Sequence, residues 1–185
     1  SLIRQILYGK KFMREEFGIE NKMLWLPDVF GYSGALPQIL KKSGVPQFFT
    51  TKMNWNESNT MPNDTFIWEG IDGSQVFASF IYSYVCQLDP KTVHDTWKRF
   101  KNKSLTNNSL VTFGYGDGGG GPTYEMMENY ERLKHGIPGM PKTKIEKAGE
   151  YYDRIEADFR KNTAELKQDP RWIGEMYLEM HRGTY

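Results

Sequence analysis

The chain of 185 residues is poor in cysteine, in histidine and in long apolar runs, and each scarcity excludes something. Cys86 is the one cysteine, so no disulfide can form within the chain, and a reducing, cytoplasmic setting is expected. It lies in the apolar run FASFIYSYVC and reads as a small buried filler rather than a reactive thiol. No apolar stretch reaches the roughly 18 residues of a membrane span. Charge of one sign is also missing: 24 Lys and Arg face 23 Asp and Glu, which gives no electrostatic case for nucleic acid or an anionic membrane as a partner. The three histidines include no HExxH pair and no cluster with cysteine, so no complete metal site is visible locally. GxSxG and GxxxxGK[ST] are absent, which argues against a nucleophile-elbow hydrolase and a phosphate-binding loop. No signal peptide opens the chain. Ser1 leads directly into helix-like sequence, and a fragment is expected.

What is present alternates between strand-like and helix-like segments. Ile3, Leu7, Phe12 and Phe17 mark a first helix closed by Gly18. The run from Lys22 to Leu26 suits a buried strand that stops at Pro27-Asp28. A helix is expected over 34–42 with Ser33 as its cap and Gly44 beyond its end, then a strand over Gln47–Thr50. The polar stretch 54–64 is a loop. Strands over 66–70 and 75–82 flank Asp72-Gly73, a hairpin signal. Asp89-Pro90 opens a helix with Val93, Trp97 and Phe100 on one face. A strand is expected over Ser109–Phe113, then a glycine-rich turn and a helix with Met126, Tyr130 and Leu133 on its apolar face, ended by Gly136. A last helix covers about 147–166, and 172–179 is the final strand candidate. This order predicts an α/β fold with parallel strands and crossover helices, its functional residues just past strand C-terminal ends.

Two carboxylates occupy such positions. Asp28 follows the first apolar strand in WLPDVFGYSG, where it is either a turn residue or a group delivered to the active face. Asp117 follows the segment 109–113 in GYGDGGGGP, where four bare glycines permit close approach, or simply make a strand-to-helix turn. His181, in YLEMHRGTY, ends the last strand candidate. His94 reads as solvent-facing, and His135 stands in the last turn of its helix. Two carboxylates with Trp25, Phe30, Tyr32 and Tyr115 nearby would suit a saccharide.

Three separated segments carry a resemblance. LWLPDVFGYSGALPQILKKSGVPQFFTTKMNWNESNTMPNDTFIWEGIDGSQV, FGYGDGGGGPTYEMMENYERL and GEMYLEMHRGTY resemble, in order, the alpha-mannosidases of glycoside hydrolase family 38, in its bacterial and cytosolic branch. The resemblance implies that residues 1–185 form the C-terminal part of a catalytic domain with a seven-stranded β/α barrel-like fold of the glycoside hydrolase/deacetylase type. It implies a retaining, zinc-dependent hydrolysis of terminal alpha-linked mannose from oligosaccharides. Asp28 matches the nucleophile and a zinc ligand, His181 a second zinc ligand, and Asp117 the general acid/base. A retaining pair is expected about 5–5.5 Å apart. Phe30 matches a sugar-facing aromatic, and Lys52 and Tyr115 are further substrate-binding candidates. The other two ligands belong to a His-x-Asp motif that this sequence does not contain. The implied partners are a mannose-containing oligosaccharide and the remainder of the same polypeptide, with a homo-oligomer left open. Two rival readings are a deacetylase-like metal hydrolase and a non-catalytic fragment.

Overall fold

A computed structural model describes residues 1–117 and 120–179. They fall into two compact units, one made of residues 1–80 with those from 166 onward, the other of residues 81–165.

The first unit opens with α1 (Leu2–Phe17), ended by Gly18 at φ 65°, where the backbone N–H groups of Gly18 and Ile19 close onto Arg14 and Met13 carbonyls. A left-handed glycine is the usual stop for a helix, because it satisfies otherwise orphaned carbonyls without a Cβ clash. None of the α1 side chains is fully buried, and Leu2, Ile3, Leu7, Phe12 and Phe17 are all more than half exposed. The helix is held through Lys10, whose ammonium donates to the carbonyls of Ser43 and Gly44 and pairs with Glu20.

Next come β1 (Met23–Trp25), β2 (Gly31–Tyr32), α2 (Leu36–Lys42) and β3 (Gln47–Thr50). A 3₁₀ turn over Lys52–Trp55 precedes β4 (Thr65–Glu69) and β5 (Gln75–Phe80). β1, β3 and β5 pair in parallel, with Leu24 opposite Phe48 and Phe48 opposite Ala78. β4 and β5 form the antiparallel hairpin expected from Asp72-Gly73, with Gly73 at φ 78° and the Asp72 carboxylate accepting from Ser74. The parallel expectation therefore holds for part of a mixed sheet only. β3 is buried along its whole length, the polar Gln47 and Thr50 at its ends as well as Phe48 and Phe49 between them, as befits a strand paired in parallel on both sides. Phe48, Phe66, Trp68 and Phe77 are almost wholly buried, and each such side chain contributes about 1.5–3 kcal/mol by leaving water.

The final strand expected over 172–179 is two strands. β6, Arg171–Ile173, lies parallel to β4 and completes the order β1-β3-β5-β4-β6. β7, Met176–Tyr177, pairs antiparallel with β2 in a separate two-stranded sheet. Gly174, at φ 91°, makes the bend between them, and the Trp68 indole N–H donates to its carbonyl at 2.7 Å. A positive φ of this size suits glycine and no other residue without strain.

The second unit contains α3 (Pro90–Arg99), α4 (Tyr124–Leu133) and most of α5 (Ala148–Leu166). Asp89 caps α3 by accepting from the Thr92 N–H, and Thr123 caps α4 by accepting from Met126. Leu88, Val93, Met126 and Leu133 form a small core. The strand expected over 109–113 is not there. Thr112 Oγ1 donates to the Ser83 carbonyl and the Gly114 N–H to that of Cys86, so this segment is tied to 83–86 at two points. Two ties, one of them from a side chain, do not make a β ladder.

Candidate active site

β1 delivers Asp28. The strand ends at Trp25, the Leu26 N–H still reaches the Phe49 carbonyl at 3.0 Å, and the chain then turns through Pro27 and Asp28. The Asp28 carboxylate is 55% exposed and meets the Lys52 ammonium at 2.9 Å. Lys52 is the unusual partner, since its side chain is only 4% exposed. Lysine is rarely buried unless paired, because its charge loses hydration. Here two aromatic faces accompany the carboxylate: the ammonium lies 3.3 Å from the Trp55 ring centroid and 5.5 Å from that of Phe30. Such cation–π contacts are worth about 0.5–2 kcal/mol each, most when desolvated.

Tyr32 braces the same corner from below. Its hydroxyl donates to the Leu26 carbonyl at 2.7 Å and lies 2.5 Å from Thr50 Oγ1. Burial pushes its phenol well above the ordinary tyrosine range, the Thr50 hydrogen bond pulls the other way, and the negative Asp28 raises it further. The ring packs edge-on against Phe48 and Trp68 in the core. Tyr32 is thus part of the scaffold and not a sugar-facing platform. Trp25 packs on Phe49 with centroids 4.3 Å apart. Phe30 borders a mostly apolar groove of about 350 Å³, shared with Val29, Tyr177 and Leu178.

The loop after the 3₁₀ turn is tied to Glu179. The Glu179 carboxylate accepts the backbone N–H groups of Glu57, Ser58 and Asn59, at 3.1, 2.8 and 2.7 Å, and the side-chain amide of Asn59. Its own N–H donates to Asn56 Oδ1 at 2.9 Å. These donors hold the Glu179 carboxyl below its usual range, the Ser58 N–H most of all. The sequence reading singled out neither Glu179 nor Trp55. An aromatic inside the polar stretch NWNES is a signal that could have found Trp55; Glu179 has none, because its partners are about 120 residues away.

Asp117 and Tyr115 belong to the second unit. The turn that carries them is closed by hydrogen bonds from the Tyr115 N–H to the Gly121 carbonyl and from the Gly120 N–H to the Tyr115 carbonyl. Gly116 and Gly121 have φ near 65°, and a Cβ on Gly120 would stand 3.0 Å from the Tyr115 carbonyl oxygen. Gly116 and Gly121 thus take the positive φ that the turn asks for, and Gly120 leaves room for the Tyr115 carbonyl. Asp117 is exposed. Tyr115, also exposed, borders a cleft of about 680 Å³ with Gln87, Asp89, Tyr124 and Asn129.

The structure thus brings Asp28, Lys52 and Phe30 together in one unit and sets Tyr115 and Asp117 on one turn of the other. His181 lies outside the described residues. Among the described residues no three His, Cys, Asp or Glu side chains gather as a metal site would. They do not compose a zinc site by themselves. His94 is exposed and its Nδ1 lies 3.2 Å from Asp95, as a surface histidine. No helix among the described residues is long and apolar enough to cross a membrane.

Comparison with known proteins adds a second line of observation. The model of the Glycosyl hydrolases family 38 N-terminal domain matches residues 1–175. Alpha-mannosidase G of Dictyostelium discoideum is 41% identical over 187 residues, covering 100% of this chain and 16% of that protein. The alpha-mannosidase of Saccharomyces cerevisiae is 39% identical over 192 residues, covering 100% of this chain and 17% of that protein. The chain therefore spans about a sixth of the length of these relatives. The fold is similar to the crystal structure of an alpha-mannosidase from Enterococcus faecalis V583, with a TM-score of 0.68 at 17% identity, over 94% of this chain and 20% of that one.

Proposed function

The chain belongs to glycosyl hydrolases family 38, and on that premise we propose that it is part of the catalytic region of a retaining alpha-mannosidase that removes terminal alpha-linked mannose from oligosaccharides. The observation that carries the reading is the Asp28–Lys52 pair, an exposed carboxylate at the end of a parallel strand held by a buried ammonium. In α/β sheets this is where reactive groups collect.

In this reading Asp28 attacks the anomeric carbon and forms a mannosyl ester, displacing the leaving sugar. Lys52 fixes the carboxylate for attack. In the second step it stabilises the carboxylate again as the ester breaks, when negative charge returns to Asp28. Asp117 protonates the departing oxygen and then takes a proton from the attacking water. Phe30 and Tyr115 offer faces to sugar rings. Asp28 and His181 would be among the ligands of a zinc ion, as the family resemblance implies, and the ion would supply a Lewis acid that orients mannose hydroxyls. The seven-stranded barrel-like fold and a cytoplasmic location are likewise proposed for the whole protein.

The test is covalent trapping. The full-length protein, incubated with a slow fluorinated mannosyl donor and digested, is expected to yield a mannosylated peptide containing Asp28. Label on another carboxylate, or unimpaired turnover in Asp28→Ala, would sink the assignment. The absence of any glycosyl ester would favour the deacetylase-like alternative.

A further inference from the structure

We propose that Glu179 is a positioning residue for the Lys52–Asp28 pair, acting through the loop that it grips. The inference rests on the reading of Asp28 as nucleophile.

The geometry runs in one direction along the chain. β3 ends at Thr50, and the 3₁₀ turn Lys52–Trp55 follows almost at once. One end of that turn is therefore fixed by the sheet. The other end runs into residues 56–59, and Glu179 takes hold there. Three consecutive backbone N–H groups converge on its carboxylate. Consecutive N–H groups forming a concavity for negative charge are a recognised anion cradle, and hydrogen bonds to an ionised acceptor are roughly twice as strong as neutral ones. The Asn59 amide adds a fourth donor, Asn56 Oδ1 takes the Glu179 N–H in return, and Asn56 Nδ2 donates to the Asn59 carbonyl.

What the turn carries explains why the grip matters. Lys52 and Trp55 are its first and last residues, and the Lys52 ammonium sits against the Trp55 ring while it reaches Asp28. Releasing residues 56–59 frees Trp55, and Lys52 then loses one wall of its pocket. Among the described residues the Glu179 carboxylate takes its hydrogen bonds from Glu57, Ser58 and Asn59 and not from Asp28, so its effect on the pair passes through Lys52.

The experiment uses the full-length enzyme and an activated aryl alpha-mannoside. In Glu179→Gln one acceptor oxygen becomes an NH₂ group that faces N–H donors. The kcat is expected to fall about 10- to 100-fold, the loss typical of a small misplacement of a reacting group, with KM changed less than about threefold. Glu69→Gln is the stability control, since Glu69 ties β4 to β6 through Arg171 and, among the described residues, its carboxylate takes its hydrogen bonds from Arg171 and Gln75 and not from the loop. It is expected to lower the melting temperature while kcat stays within about twofold. The discriminating measurement is the double variant. In a Lys52→Met background, Glu179→Gln should cost less than about threefold in kcat, because residues acting through one another are not additive. An undiminished further loss in that background, or kcat within twofold of wild type in the single variant, would overturn the proposal. Should Glu179→Gln not fold, Asn59→Ala removes one donor only. A loss of about 3- to 10-fold that vanishes in the Lys52→Met background supports the inference, and unchanged kcat refutes it. Asp28→Ala is run alongside: full turnover there would refute the nucleophile assignment, whereas an inactive Asp28→Ala beside an unaffected Glu179→Gln would refute this inference alone.

Discussion

Lys52 and Asp28 form an ion pair whose two ends live in different surroundings, the ammonium 4% exposed and the carboxylate 55% exposed at 2.9 Å. The cation is held by the protein and the anion is presented outward. Removing the charge but keeping the volume separates the two roles of Lys52. In Lys52→Met, kcat is expected to fall about 10²- to 10³-fold, as when one preorganised electrostatic contact is lost. The melting temperature should move by no more than about 4 °C, since a flexible apolar chain fills the same space between Phe30 and Trp55. Kinetics and a thermal melt of the full-length protein check both.

Asp117 is expected to show itself through the leaving group. In Asp117→Ala, substrates with poor leaving groups should lose most activity, because they need the proton. Activated aryl mannosides should keep more, and azide should restore part of the remainder by replacing water as nucleophile. Equal losses for good and poor leaving groups, without azide rescue, would remove Asp117 from the acid/base role.

Gly70 tests the packing below the hairpin. A Cβ there would stand 2.9 Å from the Gly34 carbonyl oxygen and 3.1 Å from Pro37 Cβ. Backbone cannot yield as a side chain does, so Gly70→Ala should destabilise the fold by about 1–3 kcal/mol. Chemical denaturation of the 185-residue chain or the full-length protein reads the loss.

The 185-residue chain alone is expected to hold zinc weakly and to lack measurable mannosidase activity. In the proposed reading zinc takes four side chains, of which this sequence would supply Asp28 and His181, and affinity falls steeply when half the ligands are missing. Metal analysis after dialysis, with an aryl alpha-mannoside assay, decides it. One tightly bound zinc per chain would point to ligands elsewhere.

Local signals in the sequence survived into the structure where one residue fixes the backbone. Gly18 ends α1, Asp72-Gly73 turns the hairpin, and Asp89 caps α3. Asp28 was legible for the same reason, as a carboxylate placed just past an apolar strand. The segment 109–113 was misleading because apolar residues with strand-like composition still need a partner edge; here Thr112 and the following Gly114 reach Ser83 and Cys86 without forming a ladder. β2 and β7 have two residues each, too few for any alternation to register. The burial of Lys52 was hidden because a lysine after a strand reads as solvated; the aromatic rings that shelter it lie 22 residues before it in Phe30 and at the far end of its own turn in Trp55.

The partnership of β4 with β6 also sets a timetable. Trp68 and Gly174, joined by a hydrogen bond, are 106 residues apart in the chain. As the polypeptide leaves the ribosome, the β4–β5 hairpin emerges first, and the strand that covers its outer edge follows about a hundred residues later. At ordinary synthesis rates of about 5–20 residues per second, that edge waits roughly 5–20 s. Residues 81–165 form a contiguous unit and can collapse during the wait. The nascent first unit meanwhile shows an uncovered strand, the form most open to pairing with another chain. A translational pause before residues 171–173 have left the ribosome should therefore raise aggregation more than a pause of equal length after they have emerged.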